Sequence, residues 1–329
     1  MNIKPALKQL LGDLPYTAEA YWYLRQAGKP LTKKFSMERV EKVLPQWRSQ
    51  VEASPLRSQA GKRVMIFTTL RYWIEHGALL GLSLAGLGNE VTLVYLPYAS
   101  WKLPMDRFDL RRQNAYAQGV LKLAEPALKI VSMPGIKPAE LPSALEDLVQ
   151  DNALRDTQYS LQVEAVDRQS ELYRLRLQRD REAACAALAW MNNNRPDVVV
   201  IPNGSILEFG AVYQAARFLG LPVVTYEFGE QRNRIWLAQN AEVMRQDTDG
   251  LWRSRKHLPL APEQMDQART LFASRQRASL WENFARRWQG VPSEGGEKVR
   301  QALGLDARPI VLLATNIIGD SLTLTPGVQ

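Results

Sequence analysis

RVMIFTTLRYWIEHGALLGLSLAGLGNEVTLVY, residues Arg63 to Tyr95, decides the class of the fold. It opens on a β-branched and aromatic run, Arg63-Val-Met-Ile-Phe-Thr-Thr69, and closes on another, Glu90-Val-Thr-Leu-Val-Tyr95. The residues between them, up to Gly88, suit a helix. Strand, helix, strand at this spacing predicts a βαβ unit. The pattern returns downstream as Asp197-Val-Val-Val-Ile201, a helix over about 208–219, and Pro222-Val-Val-Thr-Tyr226. Apolar runs this continuous suit parallel strands covered by helices on both faces. Residues 61–240 therefore read as a doubly wound α/β domain, with its ligand crevice at the carboxyl ends of the strands.

On either side of this core the pattern is helical. Met37, Val40, Val43, Leu44 and Trp47 fall at helical spacing, interrupted upstream by Gly28-Lys29-Pro30. Leu128 to Met133 offers one more short strand. Residues 157–193 hold almost no Gly or Pro, which predicts a single long helix ending at Asn192-Asn193-Asn194. Residues 262–303 read as helical, and Pro309 to Thr315 as a strand followed by a loop from Asn316 to Ser321. The expected division is a basic helical segment over 1–60, the α/β domain with its carboxyl-terminal helices over 61–303, and over 304–329 the opening of a second α/β domain that looks cut off.

With 46% hydrophobic and 23% charged residues, the composition argues against a disordered or fibrous chain. Cys185 is the only cysteine, flanked by alanines that suggest a packed helical face, so an oxidising compartment is not expected. MNIKPALKQLLGDLP lacks the apolar run of a signal peptide, and the expected location is cytoplasmic. Twelve Lys or Arg against five acids give residues 1–63 a net charge of +7. With Tyr16, Tyr21, Trp22, Tyr23 and Trp47, this basic edge suits peripheral contact with an anionic membrane or a polyanion; the plainer reading is a solvated helical face. Arginines from Arg168 to Arg181 alternate with Glu171 and Asp180, so an exposed, salt-bridged face is expected there and no nucleic-acid partner.

Several chemistries find no motif. Neither GxGxxG nor GxxxxGK[ST] follows a candidate strand, and two histidines and one cysteine far apart make no usual zinc site. Asp247-Thr-Asp249-Gly250 begins like a calcium loop, but Leu258 stands where that loop needs a glutamate, and a turn is the better reading.

The polar residues just beyond the strand ends remain. After the first strand come Arg71, Glu75 and His76; an imidazole near a helix start suits a general base, with Glu75 to orient it or raise its pKa, or else simply caps or packs the helix. After the strand ending at Ile201 come Asn203, Ser205 and Glu208. Ser205 reads first as a helix cap, and Asn203 and Glu208 as groups able to reach a ligand hydroxyl. After Tyr226 come Glu227 and Glu230, suited to gripping sugar hydroxyls or to pairing with Arg232 or Arg234 in a solvated loop.

Taken together, Arg195-Pro-Asp-Val-Val-Val-Ile-Pro-Asn-Gly204, Tyr213-Gln-Ala-Ala-Arg-Phe-Leu-Gly-Leu-Pro222 and Val-Val-Thr-Tyr-Glu227 resemble the amino-terminal domain of bacterial GT-B glycosyltransferases of the capsule-polysaccharide type. The strand from Pro309 with Asn316-Ile-Ile-Gly-Asp320-Ser321 resembles the start of that family's second domain. The resemblance implies Rossmann-like domains, metal-independent transfer without a cofactor, a nucleotide-sugar donor as co-substrate, and a glycan or lipid-linked acceptor in surface-polysaccharide synthesis. It maps the catalytic base to His76 or Glu75 and leaves Asn316, Asp320 and Ser321 as the donor-side candidates; Arg71, Asn203, Glu208, Glu227 and Glu230 stand as candidate substrate-binding residues. Two other functions fit the same residues: a nucleotide-sugar 2-epimerase, and a non-catalytic module docking through the basic edge.

Overall fold

A computed structural model describes residues 3–277, 279–280, 282–283, 295–311 and 313. The chain divides into two compact units: the described part of Met1–Tyr226 with Leu237–Arg245, and Glu227–Trp236 with the described residues from Gln246 on.

The first unit opens with three helices, α1 (Ile3–Asp13), α2 (Thr17–Gln26) and α3 (Glu38–Glu52). Val40, Leu44 and Val51 of α3 are buried, as their helical spacing requires. The α/β body follows as β1 (Arg63–Thr69), α4 (Arg71–Gly86), β2 (Glu90–Leu96), α5 (Arg107–Leu121), β3 (Lys129–Ser132), α6 (Ser143–Leu161), α7 (Glu171–Asn194), β4 (Val198–Pro202), α8 (Leu207–Phe218) and β5 (Val223–Phe228). A last strand, β6 (Ile235–Gln239), completes a six-stranded sheet of order β3-β2-β1-β4-β5-β6. β1 runs parallel to β2 and β4, β2 to β3, and β4 to β5. This is the Rossmann-like order, with its switch point between β1 and β4.

Successive residues of β1 point to opposite faces of the sheet. Ile66 and Thr68 meet α4, where a Cβ on Gly77 would fall 2.6 Å from Thr68 Cγ2 and one on Gly81 3.5 Å from Ile66 Cδ1. Phe67 meets Phe209 of α8 on the other face, ring centroids 6.0 Å apart. Every residue of β1 after Arg63 is buried, which is why the strand carries no polar alternation.

The single helix expected over 157–193 is two, α6 and α7. Gln162 ends α6 in the left-handed region, Asp167 Oδ1 accepts from Gln169 N to turn the chain, and Ser170 caps α7 by accepting from Tyr173 N. Short polar side chains that bond their own backbone break a helix even where propensity is high. The arginine-rich stretch is exposed only in part, at Arg168, Arg174 and Arg181, the last paired with Glu146. Arg176 and Asp180 are fully buried and Arg179 nearly so.

In the second unit α9 (Asp249–Arg255) begins where a turn was expected, and α10 (Pro262–Gln276) and α11 (Gly296–Ala302) occupy part of the expected helical stretch. Pro309, Ile310, Val311 and Leu313 are exposed and carry no strand; the rest of that expected strand lies outside the described residues. Among the described residues no helix is long and apolar enough to cross a membrane.

Candidate functional site

At the switch point the chain leaves β1 into α4 on one face and β4 into α8 on the other. Both exits use unusual backbone. Leu70 has φ 62° and ψ 145°, and Asn203, Gly204 and Leu207 have φ of 58°, 88° and 54°. For a residue with a Cβ such conformations cost roughly 1–3 kcal/mol and persist only where their surroundings hold them. Here the hold is visible. Asn203 Oδ1 accepts from the backbone N and the Oγ of Ser205 at 3.1 and 2.7 Å, and Asn203 N donates to Tyr226 O at 2.8 Å. Gly204 has a second constraint, since a Cβ would lie 2.6 Å from Thr225 Cγ2. Ser205 therefore serves the turn; the α8 cap is Ile206, which offers no side-chain hydrogen bond.

Between the two exits lies an aromatic cluster. Trp73, in the first turn of α4, has its ring centroid 5.6 Å from Tyr226, 5.9 Å from Phe209 and 6.1 Å from His76. His76 lies one helical step on, with Nδ1 3.1 Å from the Tyr226 hydroxyl. Burial among these rings holds the histidine below its ordinary pKa, the reverse of the rise expected from Glu75. The imidazole is thus the neutral form near pH 7. Its tautomer decides what the other nitrogen does: when Nδ1–H donates to Tyr226, Nε2 is left as an acceptor.

Glu75 belongs to a different pair. One residue advances a helix by about 100°, which aims adjacent side chains apart. Glu75 accepts from Arg71 Nη1 at 2.9 Å, one turn back, while burial raises its carboxyl above the usual range. Nearby, the Thr68 and Thr69 hydroxyls at the end of β1 are buried with no hydrogen-bond partner among the described residues.

Glu208, expected to face a ligand, is turned into the core. It accepts from Arg176 Nη1 at 3.1 Å, in a network where Arg176 also meets Asp156 at 2.5 Å and Asp180 at 3.6 Å. Three carboxylates around one guanidinium in a dry interior cannot all ionise cheaply. Burial raises the pKa of both Asp156 and Asp180. Arg176 and Arg179 also donate to the carbonyls of Trp101 and Leu103, and Arg179 stacks 3.9 Å over the Tyr98 ring. The network thereby fixes the loop after β2. That loop borders a cleft of about 830 Å³ beyond β2 and β3, lined among others by Leu96, Tyr98, Arg111, Asn114, Met133 and Arg179. Its volume is that of an ordinary small-molecule site.

The first unit thus gathers Arg71, Glu75, His76 and Asn203 at neighbouring strand exits and sends Glu208 elsewhere. Glu227 and Glu230 belong to the second unit, where Glu227 Oε1 accepts from Phe228 N and the Glu230 carbonyl accepts from the backbone of Glu282 and Asn283. Asn316, Asp320 and Ser321 lie outside the described residues. Tyr226 and Trp73 escaped the sequence reading as partners of His76; their only signal was aromatic character at a strand end and one turn before the histidine. Among the described residues no three His, Cys, Asp or Glu converge to hold a metal ion. No family model matches the chain, and no curated protein matches it either.

Proposed function

We propose that the chain is the acceptor side of a glycosyltransferase that moves a sugar from a nucleotide-sugar donor to a glycan or lipid-linked acceptor in bacterial surface-polysaccharide synthesis. The observation that supports this best is a neutral, half-buried histidine on the first helix after β1, hydrogen-bonded to Tyr226 beside the switch point. A base with a depressed pKa is already deprotonated when an acceptor hydroxyl arrives. With Nδ1–H donating to Tyr226, His76 Nε2 takes the hydroxyl proton. The acceptor oxygen then bonds to the anomeric carbon, and the bond from that carbon to the nucleoside diphosphate breaks, its electron pair leaving with the phosphate. Arg71 and the Asn203 turn border the bound acceptor on this reading. Donor contacts fall to the segment holding Asn316, Asp320 and Ser321.

The test is incubation of the chain with nucleotide sugars and glycan acceptors, reading nucleoside diphosphate release and glycan product. Acceptor-dependent release, lost in His76→Gln at unchanged melting temperature, is the expected result. Transfer retained in His76→Gln removes His76 as the base. A nucleotide sugar converted without any acceptor points to 2-epimerisation instead.

A further inference from the structure

The α1–α2 hairpin is fastened to the body by one side only. Gly12 approaches α5 so closely that a Cβ would lie 2.9 Å from Phe108 N, and Tyr21 packs edge-on against Phe108 at 5.6 Å. Arg112 sits over both rings, 5.0 Å from Tyr21 and 4.9 Å from Phe108. The opposite side is apolar and exposed. Leu7 and Leu10 fall at i and i+3 of α1, with Leu14 just past its end, and they are 50%, 59% and 44% exposed. Tyr16 in the turn and Tyr23 and Leu24 on α2 are exposed more fully still.

The hairpin's charge is equally one-sided. Its only acids, Asp13 and Glu19, are taken by Arg107 and Arg111 of α5, and Lys8 by Asp106 and Asp109. Arg25, Lys29, Lys33 and Lys34 are exposed, and none has an ion-pair partner among the described residues. Trp22 Nε1 donates to Lys29 O at 3.0 Å, tying that basic turn back to α2.

We propose that this hairpin and the basic turn after it dock the protein on an anionic lipid bilayer. Leucines and tyrosines beside unpaired cations match the two layers of such a surface, with acyl chains below and negative headgroups above. A free polyanion would use the cations and leave the leucines in water. A second copy laid against this face would set four cations against four. Each basic residue near an anionic membrane is worth about fivefold in binding. The inference stands on the hairpin alone and does not need the glycosyl-transfer reading.

The experiment is co-sedimentation of the whole chain with phosphatidylcholine vesicles, with and without phosphatidylglycerol, at low and high salt. Binding to the phosphatidylglycerol vesicles alone, weakening as salt rises, is expected. The combined Arg25→Gln, Lys29→Gln, Lys33→Gln, Lys34→Gln variant should lose on the order of 50-fold or more in partitioning. Leu10→Ser with Leu24→Ser should also detach the protein. Both variants change only exposed side chains, and an unaltered melting temperature shows that they fold. Failure to sediment with either vesicle, equal binding to both, or unchanged binding of the charge variant overturns the proposal. So does a concentration-dependent dimer abolished by the leucine variant, which would mark the leucines as a contact between copies.

Discussion

His76 Nδ1 lies 3.1 Å from the hydroxyl of Tyr226, 150 residues further along the chain, with the two rings tilted by 35° and their centroids 5.4 Å apart. This contact pins the start of α4 to the carboxyl end of β5, across the strand exits where the acceptor is proposed to bind.

The burial that lowers the His76 pKa makes it acid-sensitive. Its folded pKa lies below that of the unfolded chain, about 6.5. As pH falls through that value the unfolded state takes up the proton first, so stability drops; above it the histidine carries no such penalty. Between about pH 7.5 and about pH 5.5 the wild-type melting temperature should fall further than that of His76→Gln. Parallel curves from calorimetry would contradict the depressed pKa.

The buried network around Arg176 makes a contrast of two variants. Arg176→Ala strands Asp156 and Glu208 in a dry interior and should cost roughly 3–5 kcal/mol. Asp180→Asn should cost less than about 1 kcal/mol, because burial raises the Asp180 carboxyl above its usual pKa and an amide oxygen still accepts from Asn152. Urea unfolding of both variants checks this. Equal losses would mean that Asp180 is ionised.

Gly204 is constrained twice, by φ 88° and by the Thr225 Cγ2 methyl. Gly204→Ala should destabilise by roughly 2–4 kcal/mol. Thr225→Ser removes the methyl but keeps the hydroxyl that donates to Ala241 O. The double variant should therefore recover part of the loss, a coupling of about 0.5–2 kcal/mol. Strict additivity would show that the methyl is not the obstacle.

The strands were legible where burial on both faces writes continuous apolar runs, as in Val64 to Phe67 and Val198 to Ile201. Helix α5 was not read, because it spends core positions on Arg112 and Gln113. Arg112 also donates to Gln26, and Gln113 donates to the Pro97 carbonyl, distant partners that no local pattern reveals. Strand β6 lies mostly exposed and writes no burial pattern at all. Beyond the strand ends, the sequence places His76 and Asn203 just after β1 and β4, where the structure has them. Strand ends misjudged Glu208, whose fate depends on Arg176, 32 residues earlier. Charge in a helix reads as surface unless the partner that neutralises it inside is known.

The most direct test of acceptor-side function is a thermal-shift comparison of the wild-type chain with glycan acceptors and with nucleoside diphosphates and nucleotide sugars, repeated on His76→Gln and Tyr226→Phe. A ligand that binds only the native state raises the melting temperature, by about 2.7 kcal/mol of stability at a hundredfold excess over Kd. Expected is stabilisation of the wild type by a glycan acceptor, diminished in both variants. Stabilisation by nucleotides alone, with glycans inert, would contradict an acceptor site at the switch point.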